Sequence, residues 1–363
     1  MENKLTNKDI LRHYFASILI YGLILLFIIF CPLYYETIEY PYFNYITVFG
    51  IYYLLYVIFA LPIFFKLKPD SILKSRNITI LNYFKRQFKK MTSQERIEAF
   101  SPNEEEKQAF VILFIKVFFG VYCVNLLCNK YLSSLDYDFD FLKEMFTQAI
   151  NYTRAEGPFF GIMQYIDDTT DMWVNIMLTI STTVLAVSYI TETKYLGNKI
   201  KYADTTPLGI LSTILCFYPF VIITNKLFPV FSQELIPVGN NILRITLSIL
   251  IILVNFVSMS AIIKLGTKSG NLTNRGIETG FPYSIIRHPD YSMQMFYVIL
   301  LTIPLFFVGD SSIVEKIFYV LSSFVWIILF YTRALTEERN LIQDEKYKEY
   351  TQKVKYRFIP YLF

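Results

Sequence analysis

Long apolar runs alternate with polar segments along this chain, and several approach the roughly 20 residues a helix needs to cross a hydrocarbon core. Eight runs are read, at 14–34, 43–65, 108–128, 173–190, 207–225, 242–263, 290–308 and 317–332. Backbone in lipid must satisfy its own hydrogen bonds, so each run is predicted to be helical and the chain all-α. Tyrosines cluster near the run ends, where amphipathic rings prefer the interface. Pro32, Pro62, Pro219 and Pro304 are predicted to kink or end helices, because proline lacks the N–H that continues the ladder.

Composition sharpens this picture. Hydrophobic residues make up 54% of the 363 and charged residues 18%, against roughly 25% charged in soluble domains. That excludes a soluble globular enzyme, a disordered chain and a nucleic-acid binder. The expected fold is a polytopic transmembrane helical bundle of about eight spans. With the N-terminus in the cytoplasm, the segments on that side hold 27 Lys and Arg, and the opposite segments hold five. This asymmetry places both termini in the cytoplasm. A multi-pass protein of a bacterial inner membrane or the eukaryotic endoplasmic reticulum is expected. The first apolar run is too long, and lacks the small-residue site, for a cleavable signal.

Cys31, Cys123, Cys128 and Cys216 lie in or beside apolar runs and read as small buried hydrophobes. His13 and His288 are the only histidines, which excludes a His-rich metal centre. Lys116, in mid span, is a costly residue in lipid and a candidate for function or for snorkelling. Asp167, Asp168 and Asp171 read as a solvated acidic loop sooner than a cation site. Asn151-Tyr152-Thr153 is a glycosylation sequon that matters only in a secretory membrane. The segment 129–172 is expected to hold a short surface helix. In the basic loop 66–107, Ile80, Leu81, Phe84 and Phe88 fall at helical spacing beside Lys85, Arg86, Lys89 and Lys90. That stretch could rest on anionic headgroups or stay solvated.

Two regions are expected: 1–172, three spans plus loops with no readable motif, and 173–363, which carries the suggestive chemistry. Gly276 to Tyr291 joins two apolar runs. Its glycines and prolines mark a shaped loop entering a helix, with Pro289 suited to the first turn. Arg287, His288 and Tyr291 would gather at that helix N-terminus, which favours anions. Alone, Arg287 and His288 would serve as interfacial anchors. A second cluster, Arg333 through Arg339, changes the weighing. If helical, it sets Arg333 and Glu337 on one face, with Glu338 adjacent. The tail from Tyr347 to Tyr361 mixes aromatics with cations and is predicted to fold back over such a site.

The order P-Y-x-x-x-R-H-P-x-Y, two spans, R-x-x-x-E-E-x-x-L, Y-x-x-Y and a terminal R-F-I-P resembles the isoprenylcysteine carboxyl methyltransferase family over about the last 100 residues. The resemblance implies S-adenosyl-L-methionine as cofactor, bound on the cytosolic side, and a lipid acceptor entering from the bilayer. It implies that Arg275, Gly276, Ile277, Glu278, Tyr283, His288, Pro289 and Tyr291 line the cofactor. Glu337 would hold its amino group, Arg287 and Glu338 would support, and Arg333 would face the acceptor as the catalytic residue. Phe281 stands where the family often has glycine, Met293 likewise, and the tail lacks the usual Phe-Gly. These departures bear on cofactor approach and acceptor identity.

Chemistry agrees with that division. Glu337 can accept from an ammonium, a helix N-terminus or Arg287 can take a carboxylate, and Tyr283 or Tyr291 can face a sulfonium at about 0.5–2 kcal/mol. Alignment and water exclusion supply most of the catalysis of a methyl displacement. The ending Lys355 to Phe363 also resembles membrane sterol reductases that use NADPH, although the Trp-Trp and Asn usual around their R-H are missing. The expectation is a membrane S-adenosylmethionine-dependent methyltransferase acting on a lipid or lipidated substrate, a prenylcysteine carboxylate among the candidates. No stable protein partner is inferred. A sterol-type reductase and a non-catalytic protein of the same fold are the alternatives.

Overall fold

The computed structural model describes residues 5–30, 45–67, 69–92, 101–128, 139–193, 195–230, 241–306 and 312–362. Cys31, Pro32, Asp136 and Asp138 lie outside them. Two compact units divide the chain, Met1–Val121 and Tyr122–Phe363. The division falls within a helix, earlier than the 172/173 boundary drawn from loop length and motif content.

The first unit holds α1 (Asn7–Phe30), α2 (Tyr45–Leu67), α3 (Arg76–Thr92) and most of α4 (Glu104–Leu126). Ile20, Ile80 and Ala109 form its buried centre, flanked by Ile24, Leu81 and Leu113. Several polar side chains within it are paired, as burial favours. His13 Nδ1 lies 2.6 Å from Ser75 Oγ, and Asn77 donates to Ser17 Oγ at 2.8 Å. Asn103 and Glu106 cap α4 reciprocally at 2.9 Å each way, and Glu106 also accepts from Arg86 at 2.7 Å. The expected apolar face of the basic stretch is split. Ile80 is buried in α3, whereas Phe84 and Phe88 are 55% and 71% exposed. Lys116 is partly buried in α4.

The second unit adds α5 (Phe139–Glu156), α6 (Pro158–Asp168), α7 (Thr170–Ile190), α8 (Pro207–Ile214), α9 (Phe220–Leu227), α10 (Asn241–Leu265), α11 (Pro289–Thr302), α12 (Ile313–Leu341) and α13 (Glu345–Lys353). In place of one short helix, 139–168 folds as a helical pair. Gly161 is required there, because a Cβ would stand 1.8 Å from Thr153 Oγ1. Helix α10 packs between α7 and α11, and α11 packs on α12. Val298, Leu301, Trp326 and Phe330 form one buried core, and Trp326 Nε1 donates to Phe228 O at 2.9 Å. A two-residue ribbon pairs β1 (Tyr202–Ala203) with β2 (Thr273–Asn274) in antiparallel register.

Six described helices are long and apolar enough to cross a membrane, consistent with a multi-pass membrane protein. Two expected spans differ for a physical reason. The run 207–225 is cut at 215–219, where Pro219 supplies no N–H to the preceding turn. Two eight-residue helices result, each roughly 12 Å long against a core of about 30 Å. The run from 290 is helical only to Thr302, then turns to 3₁₀ geometry through Pro304. Cys123 is buried, Cys128 and Cys216 are half-buried, and all three are free.

Candidate functional site

A cavity of about 460 Å³ in the second unit is lined by the loop after β2, the far end of α12 and α13, together with faces of α7, α10 and α11. The loop begins at Gly276, whose φ of +120° is one that side chains rarely adopt. Its N–H donates to Asn274 Oδ1 at 2.8 Å, turning the chain out of the ribbon. The loop ends with His288 as N-cap and Pro289 in the first turn of α11.

The tail is stitched along this loop. Arg287 N donates to Tyr356 O and His288 N to Arg357 O, each at 2.9 Å. Ser292 Oγ donates to Phe358 O at 3.0 Å, and Tyr350 Oη to Tyr283 O at 2.7 Å. Tyr347 and Tyr350 thereby join the cavity wall. Burial pushes the phenols of Tyr283, Tyr347 and Tyr350 upward, so all three stay neutral donors.

Eleven of the twelve residues that the family resemblance implies line the cavity: Arg275, Gly276, Ile277, Glu278, Tyr283, Arg287, His288, Pro289, Tyr291, Arg333 and Glu337. Glu338 does not. One residue further along α12, it points about 100° away. Its Oε1 lies 3.1 Å from Arg287 and 3.2 Å from His288, and its Oε2 lies 2.9 Å from Arg357. It is a clasp joining loop, helix and tail. Glu337 has no ion pair among the described residues and lies within electrostatic reach of Tyr291.

Two lining residues have structural engagements of their own. The Arg275 guanidinium donates to Ser188 O at 2.5 Å and Ser188 Oγ at 2.7 Å, and lies over the Tyr189 ring. Glu278 accepts from Lys268 at 2.5 Å. Arg333 is buried, donates to Asn271 Oδ1 at 2.8 Å, and stands 4.9 Å from the Tyr291 ring centre and 5.2 Å from that of Phe217. Arg333 Nε, Arg287 Nε and Tyr347 Oη are buried without hydrogen-bond partners among the described residues. Unsatisfied polar atoms around one hollow are what a polar ligand would satisfy.

The cavity wall changes character along α12. Glu337 and Leu341 lie toward the tail, and Phe330 and Trp326 toward the helix interior. At 1.5 Å per residue this wall extends roughly 22 Å, with Arg333 near its middle. Met177, Leu178, Leu185, Val254, Met293 and Tyr297 line the inner part. Asp290, Ser258, Asn255 and Gln294, all unassigned by the motif order, also face this space. Asp290 accepts from Ser258 Oγ, and from Gln294 Nε2 at 2.8 Å. Asn255 and Ser258 are one helical turn apart within an apolar run, the one sequence signal that could have flagged them.

No group of His, Cys, Asp and Glu among the described residues could hold a metal ion. Comparison with known proteins returns no match to any protein-family model, curated protein or solved structure.

Proposed function

We propose that this chain is an integral membrane S-adenosylmethionine-dependent methyltransferase, with both termini cytoplasmic, acting on a lipid-soluble acceptor. The observation that carries the reading is that residues singled out by motif order, from chain segments far apart, line one cavity. Its volume of about 460 Å³ sits within the roughly 300–1,000 Å³ of small-molecule sites. The donor set suits the cofactor. Glu337, without an ion pair, would take the ammonium, and Tyr283 and Tyr347 offer neutral phenols to its polar edge. The buried Arg287 Nε supplies an open donor toward a carboxylate. Bound there, S-adenosylmethionine would supply a methyl group on a sulfonium sulfur for in-line transfer.

The chain's own contribution is alignment and exclusion of water. Glu338 holds the tail across the loop and so closes the outer side. Arg333 Nε, unpartnered beside the apolar part, would orient the acceptor head, while the inner wall from Met177 to Trp326 would hold its chain. A prenylcysteine carboxylate is the acceptor the family resemblance suggests. The reductase alternative needs cations for several phosphates, and Lys268 and Arg275 are engaged by Glu278 and Ser188.

Calorimetry on the full chain in detergent tests this. S-adenosylhomocysteine is expected to bind, and Glu337→Gln to weaken it about 10–100-fold, the worth of a hydrogen bond to a charged group. NADPH binding without S-adenosylhomocysteine binding would favour the reductase. Binding of neither would favour a non-catalytic protein.

A further inference from the structure

The motif order leaves Asp290 unassigned, yet it sits at the junction of the polar and apolar parts of the cavity. Each carboxylate oxygen accepts one hydrogen bond, Oδ1 from Ser258 and Oδ2 from Gln294. A carboxylate offers about four lone-pair positions, so capacity remains on both oxygens. No Lys or Arg among the described residues forms an ion pair with it. Arg333 and Glu337 lie within electrostatic reach. The junction therefore holds two carboxylates and one guanidinium, Arg333, whose buried Nε has no hydrogen-bond partner.

With Glu337 taken by the cofactor's ammonium, an anionic acceptor head placed there would add a second negative charge beside Asp290, with Arg333 as the one guanidinium. Like charges at short range in a dry site are strongly disfavoured. A head that donates a hydrogen bond and carries no negative charge would fill the open capacity of Asp290, and a phenol or alcohol oxygen would also accept from Arg333. Trp326, Tyr297, Val254 and Met177 line the continuation of the cavity, which suits a single apolar chain.

We infer that the acceptor is a single-chain amphiphile with a non-anionic, hydrogen-bond-donating head, an amine, phenol or alcohol, and that Asp290 receives its proton. The inference rests on the methyl-transfer reading and narrows its substrate class away from a carboxylate. In the step, the head's N–H or O–H bond breaks and its proton passes to Asp290. The freed electron pair forms the new bond to the methyl carbon. The sulfur–methyl bond breaks with its pair kept by sulfur, leaving the thioether S-adenosylhomocysteine. A carboxylate acceptor would need no such base.

The test measures calorimetric binding of dodecylamine, 4-dodecylphenol and dodecanoate to the full chain saturated with S-adenosylhomocysteine. The amine and phenol are expected to bind at least tenfold more tightly than the carboxylate. Asp290→Asn should bring the three within about threefold while leaving S-adenosylhomocysteine affinity in place, and Asp290→Glu should restore the preference. Tightest binding of dodecanoate, or an order unmoved by Asp290→Asn, overturns the inference and leaves the methyl-transfer reading standing. If S-adenosylhomocysteine does not bind, the probes are measured on the full chain alone, and an Asp290-dependent preference there overturns the methyl-transfer reading and keeps the head-group site. If Asp290→Asn yields no folded protein, the order of the three probes on the native chain decides.

Discussion

Helix α10 carries polar residues at both ends, and the two ends behave differently. Near its start, Arg244 Nε lies 2.8 Å from Asp167 Oδ2, an ion-pair contact at an angle too poor for a hydrogen bond. Arg244 Nη2 donates to Gln164 at 2.9 Å, Ser248 Oγ to Asp167 at 2.5 Å, and Gln164 to Asp168 at 2.7 Å. Arg244 and Asp167 meet as an ion pair, one buried oxygen of Asp168 has no hydrogen-bond partner among the described residues, and none of these residues lines the cavity. Toward its other end, Asn255 and Ser258 face open space with Asp290, Arg333 and Glu337. Charge satisfied within the fold braces helices. Charge facing a hollow is what the proposed cofactor and acceptor would meet. The same contrast recurs within one turn of α12, where Glu338 meets three cationic or ring nitrogens and Glu337 meets none.

The largest expected effect breaks the clasp. Glu338→Ala strands Arg287 and His288, whose side chains are 11% and 4% exposed, without their carboxylate. Removing one partner of a buried ion pair costs about 3 kcal/mol, the low end of the range because Arg357 is partly exposed. Thermal unfolding should fall accordingly, and trypsin should cut after Lys355 faster, since the adjoining tail loses its anchor. Unchanged stability with an equally protected tail would remove Glu338 from this role. Arg244→Met comes next, at about 1–2 kcal/mol, because Asp167 keeps Ser248 as a donor. Its diagnostic feature is S-adenosylhomocysteine affinity within about threefold of the parent. A tenfold loss would show that the two ends of α10 are not separable.

Much of this contrast can be read from the sequence, and the unread part has physical causes. Hydropathy locates the long helices, and Pro289 locates the start of α11. The four-residue spacing of Arg333 and Glu337 puts both on the cavity side. Periodicity cannot tell a continuous apolar helix from two short ones, so 207–225 reads as one span although Pro219 marks a place where a helix kinks or ends. Arg275 and Glu278 entered the expected site through their place in a motif. Their engagements come from Ser188 and Lys268, and Ser188 lies 87 residues from Arg275 in the chain. Glu338 was placed beside Glu337 because they are adjacent in sequence, but a helix turns neighbours to different faces. Asp290 occupied a motif position with no stated requirement. Its partner Ser258 lies 32 residues away, beyond any local pattern.

The smallest effect concerns the exposed rim, where a third polar group clarifies what solvent does to the comparison. Asp344 accepts from Lys201, from Asn274 Nδ2 at 3.1 Å and from Lys346 N at 3.2 Å, fastening the ribbon that leads into Gly276. Burial alone would raise its carboxyl, but these donors and the Lys201 charge outweigh that and hold it below its ordinary value. A lowered carboxyl contributes stability above its unfolded value, about 3.9, and loses it as pH falls through the folded one. Lys201 is 45% exposed, so water and salt limit the contribution to about 1 kcal/mol or less. Asp344→Asn should therefore melt slightly below the parent at pH 7, with the gap closing toward pH 3 and shrinking in high salt. A gap that stays constant on acidification would mean that the aspartate acts through shape alone. The rim would then belong with the uncharged packing of the helices and not with the ionic clasps that frame the cavity.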